Sequence, residues 1–360
     1  MLQLALSPLI VWPIAAFSAA GVLARPFKIG EAWWAVLGAL LLVVTGQLTP
    51  GEVGHAVRQG TDVYLFLIGM MLIADMARTT GLFDWIAAWA VRHAKGSASR
   101  LFVLVYGVGI VVTAFMSNDA TAVVLTPAVL AAAKAARLER PLPHLFACAL
   151  IANAASFILP VSNPANLVVF AGQMPSLGAW FGLFLVPSII AVAVTFVALY
   201  WSQRDDLRQH MQSDVPVPPL SFEARIVAAG IVVMGVALLT ASALGADLGW
   251  PTCVAGAATF VLVFLRARTL ATQAAREMSW AVLPLVAGLF VLVAALSKIG
   301  VAAELAHDVE RVRHAHGVEH RRLRRDQNEV GMARRFVGDI TRHRCAVDHD
   351  QISASVGTGL

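Results

Sequence analysis

Seven stretches of this sequence, at about residues 4–24, 32–49, 63–77, 178–202, 226–244, 251–265 and 281–297, are apolar over most or all of the roughly 20 residues that a helix needs to cross a bilayer core. Such a series excludes an ordinary soluble enzyme. Composition agrees: 58% of residues are hydrophobic and 14% charged, against about 45–50% and about 25% in soluble domains. The chain is therefore expected to be an all-α polytopic membrane protein. The first run has no basic stretch ahead of it, and a second run follows almost at once, so it reads as a retained helix and not a cleaved signal.

A pI near 9.5 would suit a nucleic-acid binder, but residues 1–305 hold only 17 Lys and Arg against 14 acids, placed mostly in short connections. That pattern marks membrane topology, so no nucleic-acid partner is expected and the partner surface is the lipid bilayer. Cys148, Cys253 and Cys345 form no close pair, which argues against a disulfide framework and against a cysteine zinc site; no metal site is expected.

Basic residues cluster at Arg25/Lys28, Arg92/Lys95/Arg100, Lys134/Arg137/Arg140, Arg204/Arg208 and Arg266/Arg268/Arg276, while the loops around 50–62 and 245–250 are poor in them. The positive-inside rule puts the clusters in the cytoplasm and the amino terminus outside. One stretch breaks the alternation: 101–133 has basic clusters at both ends, yet it is too short for two full crossings joined by a turn. It reads as a re-entrant hairpin entering from the cytoplasm. Just before it, Leu82, Trp85, Ile86 and Trp89 make one apolar face, which fits a helix lying on the cytoplasmic surface or, equally, a stripe packed against other helices.

Laid on itself, the chain aligns "LIGMMLIADMARTTGLFDWIA" (67–87) with "VAGLFVLVAALSKIGVAAELA" (286–306), matching Gly69 to Gly288 and Gly81 to Gly300. Loop charges run the two copies in opposite directions. An inverted repeat is the trace of a secondary transporter whose site lies at the membrane midplane. By the same offset, 335–346 should match the polar "MSNDATAVVLTP" at 116–127, but "RFVGDITRHRCA" stands there.

Polar groups inside apolar runs are costly unless used or paired, so they mark function. One cluster, Ser117, Asn118, Asp119 and Thr121, sits mid-hairpin. The other lies in "ALIANAASFILPVSNPANLVVF" (149–170), with Asn153, Ser156, Pro160, Ser162, Asn163, Pro164 and Asn166. Pro164 disfavours helix at Asn163, so a helix over 145–159 should unwind and restart near Ala165, leaving free carbonyls on one side and a half-helix amino end on the other.

"SNDATAVVLTP" followed about 40 residues later by "LPVSNPANLVV" resembles the arsenical pump membrane protein (ArsB-like) family of the ion transporter superfamily, which also holds sodium/proton antiporters and citrate or dicarboxylate carriers. The resemblance covers about residues 1–305. It implies export of arsenite or antimonite across the cell inner membrane, driven by the proton gradient or, with a partner ATPase, by ATP. It also implies an inverted-repeat secondary transporter, not an enzyme, whose site is built from two hairpins and two broken helices. The first-half elements carry over to Ser117–Thr121 and Ser162–Asn166; the second-half elements find no matching positions.

The residues are compatible with that solute. Arsenite at neutral pH is largely an uncharged trihydroxide, which needs amides and hydroxyls, and neither polar break contains Arg or Lys. The solute ligands are expected among Ser117, Asn118, Asp119, Thr121, Asn153, Ser162, Asn163 and Asn166. No cofactor is expected beyond a coupling proton or sodium ion. Proton coupling needs a carboxyl whose pKa burial raises toward neutrality; Asp119 is the first candidate and Asp75 the second, although Arg78 one turn on makes an interfacial ion pair the stronger reading there. Cys148 reads as a small apolar packing residue.

The chain thus divides into a first repeat (1–202, with hairpin 101–133 and broken helix 145–175), a cytoplasmic linker (203–225), the start of a second repeat (226–305) and a charged tail (306–360). The tail holds ten Arg, six His and eight acids with no apolar helical face, and is expected to be disordered, an aberrant or out-of-frame continuation. The alternatives are a sodium/proton or carboxylate transporter of the same superfamily, or a non-functional membrane fragment.

Overall fold

The computed structural model describes residues 7–300 apart from Ser117, Asp119, 171–174 and 213–215. The readings of Ser117, of Asp119 and of the tail 306–360 lie outside the described residues. Among those described the chain is helical, with no strand beyond one isolated antiparallel bridge, Ser97 to His210.

The helices are α1 (Pro8–Ala24), α2 (Glu31–Val44), α3 (Pro50–Gln59), α4 (Thr61–Thr79), α5 (Leu82–His93), α6 (Ala98–Phe115), α7 (Thr126–Ala135), α8 (Leu142–Ala154), α9 (Pro164–Val169), α10 (Leu177–Ser202), α11 (Phe222–Ala243), α12 (Gly249–Arg266), α13 (Arg268–Glu277) and α14 (Val282–Lys298). By length and composition α6, α10, α11, α12 and the α13–α14 stretch can each cross a membrane, and α3 with α4 makes a sixth candidate, bent by 50°. Contacts cluster into one unit up to Ala295 and a second from Leu296 onward, most of which lies outside the described residues.

Local chemistry sets the ends of these helices. Thr49 and Glu52 form a reciprocal capping box that starts α3, and Ser97 and Ser221 cap the amide groups opening α6 and α11. Gly81 takes φ +76, which lets the chain turn from α4 straight into α5.

The repeat is longer than the segment that reveals it in the sequence. The shift that carries Gly69 onto Gly288 also lays α1, α2, α3 and α4 over α11, α12, α13 and α14, with their carboxyl ends nearly coincident. The packing repeats as well. Gly69 of α4 lies on the backbone of Thr252 and Cys253 in α12, and Gly288 of α14 lies on the backbone of Ala35 in α2. Small residues let these backbones approach, as membrane helix pairs require. Asp62 Oδ1 at the start of α4 accepts the Gly249 amide at 2.6 Å, capping the start of α12. The two helices therefore begin on the same side.

α5 differs from the picture of a helix lying on the membrane surface. Its buried face is Leu82, Phe83, Ala87, Ala90 and Val91, packed against the bundle and chiefly α7, while Trp85, Ile86 and Trp89 are half-buried at its edge. The packing reading is the correct one, rotated from the Trp stripe. The reason is size: Ala87 and Ala90 admit the neighbouring helix, whereas the indoles are too bulky for the contact, and Trp89 instead stacks on the His93 ring at 4.1 Å.

α8 ends at Ala154, short of the Leu159 end that Pro164 alone predicts. A second proline, Pro160, also acts on the residue before it. Leu159 (φ −124°, ψ 156°) and Asn163 (φ −146°, ψ 125°) are both extended, so the break is a double one, with a short tight turn at Pro160–Ser162 between the two extended residues.

Candidate functional site

The hairpin and the double break face one another. α6 rises 18 residues, about 27 Å at 1.5 Å per residue, and the chain returns through a π-helical turn, Ala120–Leu125, into α7. π-helical turns are rare and concentrate at functional sites. Here the wide turn places the Thr121 hydroxyl 2.8 Å from that of Thr113 on α6, both fully buried, and Thr126 Oγ1 donates to the Thr121 carbonyl at 3.2 Å.

From the other side, Ser162 Oγ donates to the Ala114 carbonyl (3.2 Å) and accepts the Leu159 amide (3.0 Å). This one buried hydroxyl joins the broken helix to the carboxyl end of α6. Asn118 is partly buried, and its Oδ1 is out of water with no hydrogen-bond partner among the described residues. A buried amide oxygen without a donor costs about 1–3 kcal/mol, which makes Asn118 the group here that most needs a ligand.

The remaining residues divide differently from the sequence expectation. Asn163 Oδ1 accepts the Ala165 amide at 2.9 Å and holds the restart of α9. Asn166 is buried, and its Nδ2 donates to the Ser156 (3.0 Å) and Pro160 (3.2 Å) carbonyls. Its amide thus satisfies carbonyls that the double break leaves open. Replacing it by Ala should orphan both, lowering stability by about 2–4 kcal/mol, checked by thermal melting of the purified protein in detergent.

Two expected site residues are not brought to this place. Asn153 is exposed and lines an outer groove with Leu150, Ala191, Val194 and Thr195 of α8 and α10, and its Nδ2 donates back to the Ala149 carbonyl. Close in sequence to buried Ser156, it points another way because α8 is already unwinding. Asp75 faces α13: Arg78 Nη2 lies 3.2 Å from Asp75 and 2.7 Å from Glu277, a three-membered ion cluster. Glu277 closes α13, in the second repeat, so no local pattern around Asp75 announces it. Cys148 is fully buried in the core, as a packing residue should be.

Thr113 and Trp180 belong to the site region without having been singled out. Thr113 stands in an apolar run where a helical Thr normally bonds its own backbone; Trp180 on α10 donates from Nε1 to the Phe157 carbonyl at 3.0 Å, satisfying another group in the break. A pocket of about 10 Å³, about one water's worth, lies between Phe115, Leu159–Val161 and α11 residues Gly235, Leu238 and Ser242. α11, a second-repeat helix, therefore closes against both polar elements.

A profile of the citrate transporter family matches residues 12–318 of the chain. The chain belongs to the citrate transporter family. Within the reach of that family, an arsenical pump membrane protein of Escherichia coli K12 is 33% identical over 196 residues, covering 52% of this chain and 44% of the relative. A putative transporter arsB of Dictyostelium discoideum is 28% identical over 53% of this chain and 33% of the relative. An uncharacterized transporter of Mycobacterium tuberculosis is 27% identical over 81% and 68%. The aligned part of the chain spans less than half of the Escherichia coli and Dictyostelium relatives. This citrate transporter family member is thus similar over part of its length to proteins named as arsenical pumps and transporters, and its long apolar helices fit a multi-pass membrane protein.

Proposed function

We propose that the chain exports arsenite or antimonite from the cytoplasm across the cell inner membrane by alternating access, in exchange for protons, or with ATP where a separate ATPase subunit partners it. The observation that carries this reading is the character of the site: a buried amide oxygen on Asn118 with no partner among the described residues and the Thr113–Thr121 and Ser162 hydroxyls, in two breaks without Arg or Lys. A neutral trihydroxide needs such groups, whereas a carboxylate solute needs positive charge. Ser117, Asn118, Asp119 and Thr121 supply the solute ligands from the hairpin, with Ser162 and Asn163 on the facing break. Asp119 is the only acid in either break and carries the proton.

Uptake of arsenite into everted membrane vesicles under an imposed proton gradient tests this, with sodium and citrate in parallel. Arsenite-dependent dissipation of the gradient supports it; transport of sodium or citrate alone would replace the solute and keep the superfamily mechanism. An arsenite-resistance assay of this chain beside a version joined to a full second hairpin and broken helix separates a working exporter from an inactive fragment. Asp75→Asn should leave any such transport intact and lower stability by about 1 kcal/mol, because the pair is partly buried but Arg78 keeps its partner Glu277, measured by vesicle uptake and thermal melting together.

A further inference from the structure

The segment after α10, expected to be a simple linker, folds back across the ends of three helices. Its amides at Met211 and Gln212, neighbours in the chain, donate to the Gly96 carbonyl (3.1 Å) and the Ala136 carbonyl (2.9 Å). Gly96 precedes α6 and Ala136 follows α7, so two consecutive residues grip both feet of the hairpin. Ser99 Oγ, at the start of α6, donates to the Leu207 carbonyl at 2.8 Å, and Ser97 pairs with His210 in the antiparallel bridge.

The same segment grips the approach to α8. The Gln209 side chain accepts the Arg140 amide and donates to the Arg140 carbonyl, both at 3.0 Å, and the Arg140 guanidinium meets Asp206 at 2.5 Å. Leu207 and Met211 are buried beneath these bonds, which anchors the segment in the core. Beside it, His144 Nε2 lies 3.0 Å from the Ala98 carbonyl, tying the first turn of α8 to the first residue of α6.

We infer that residues 206–212 form a strap that registers the two hairpin feet against the foot of α8, so that the hairpin turn and the double break keep one relative position. Asp206 and Gln209 are then positioning residues: they touch nothing at the polar breaks and act through α8, whose far end is the break itself. A merely local loop would fix only itself. This deepens the transport reading, on which its functional meaning rests, but the strap can be tested without any solute, so its failure and the failure of that reading appear in different experiments.

The test is hydrogen exchange with mass spectrometry on the full chain in lipid nanodiscs. The double variant Asp206→Ala/Gln209→Ala should speed exchange about tenfold at 96–100 and 136–142 and also at the remote break, 155–163. As a second arm, Ser97→Cys/His210→Cys, with the three native cysteines replaced by Ser, places a disulfide across an antiparallel pair, where Cα atoms lie about 4.5–5.5 Å apart and within disulfide reach. Oxidation should slow exchange at 155–163, and reduction should restore it. Faster exchange confined to 203–212, or a cross-link that leaves 155–163 unchanged, overturns the inference; if the double variant does not fold, the cross-link arm decides.

Discussion

Asp119→Asn should reduce arsenite-dependent dissipation of the proton gradient in everted vesicles to the background of empty membranes, while expression and insertion stay at the parent level. The substitution keeps the side chain's shape and removes its titratable group. Asp119 is the only acid in either polar break of the sequence, so it is the group there that could take up and release a proton. If transport persists with its pH dependence unchanged, Asp119 is not the proton carrier; Asp75, already tied to Arg78 and Glu277, does not inherit the role by default.

The largest stability effect is expected from Gly69→Val. A Cβ there would overlap the carbonyl of Thr252, and Gly256 in turn meets the carbonyl of Gly69, so both sides of the contact are backbone and neither can move aside as a side chain would. α4 and α12 would have to separate along their length, at about 3 kcal/mol or more. Melting in detergent should show a large loss, or the protein should fail to insert as a monodisperse species. Gly107→Ala is the control: nothing lies within 4 Å of a Cβ built there, and replacing a helical Gly by Ala stabilises by about 0.5–1 kcal/mol. Equal behaviour of the two variants would mean that the close crossing does not exist.

The fold was legible where one physical requirement dominates. Backbone groups in lipid must be satisfied within a segment, so long apolar runs become helices, and α10, α11 and α12 lie close to where hydropathy alone puts them. Pro164 announced the break because a proline acts on its immediate neighbour. The double break was harder to foresee, since the effect of Pro160 on Leu159 and the carbonyls it frees are consequences of two prolines acting together. At the site, Asn118, Thr121 and Ser162 were visible as polar residues in apolar runs. That Asn166 spends its amide on carbonyls, or that Asn153 points outward, depends on where the helix lets go, which sequence spacing does not state.

The sequence by itself determined that this is an α-helical membrane protein with two polar interruptions, because hydropathy, proline and glycine act through local and near-neighbour physics. It also carried the repeat, whose single shift proved to govern four helices in each copy. Only the tertiary structure decided which residues meet: Thr113 with Thr121, Ser162 with Ala114, Arg78 with Glu277, and the segment at 206–212 with three helix feet. Most of these pairings join positions far apart in the chain, and even Thr113 and Thr121, near in sequence, meet only through the wide π-helical turn; a hydrogen bond or ion pair is set by a few tenths of an ångström in the packing of helices, a distance that no pattern along one chain encodes.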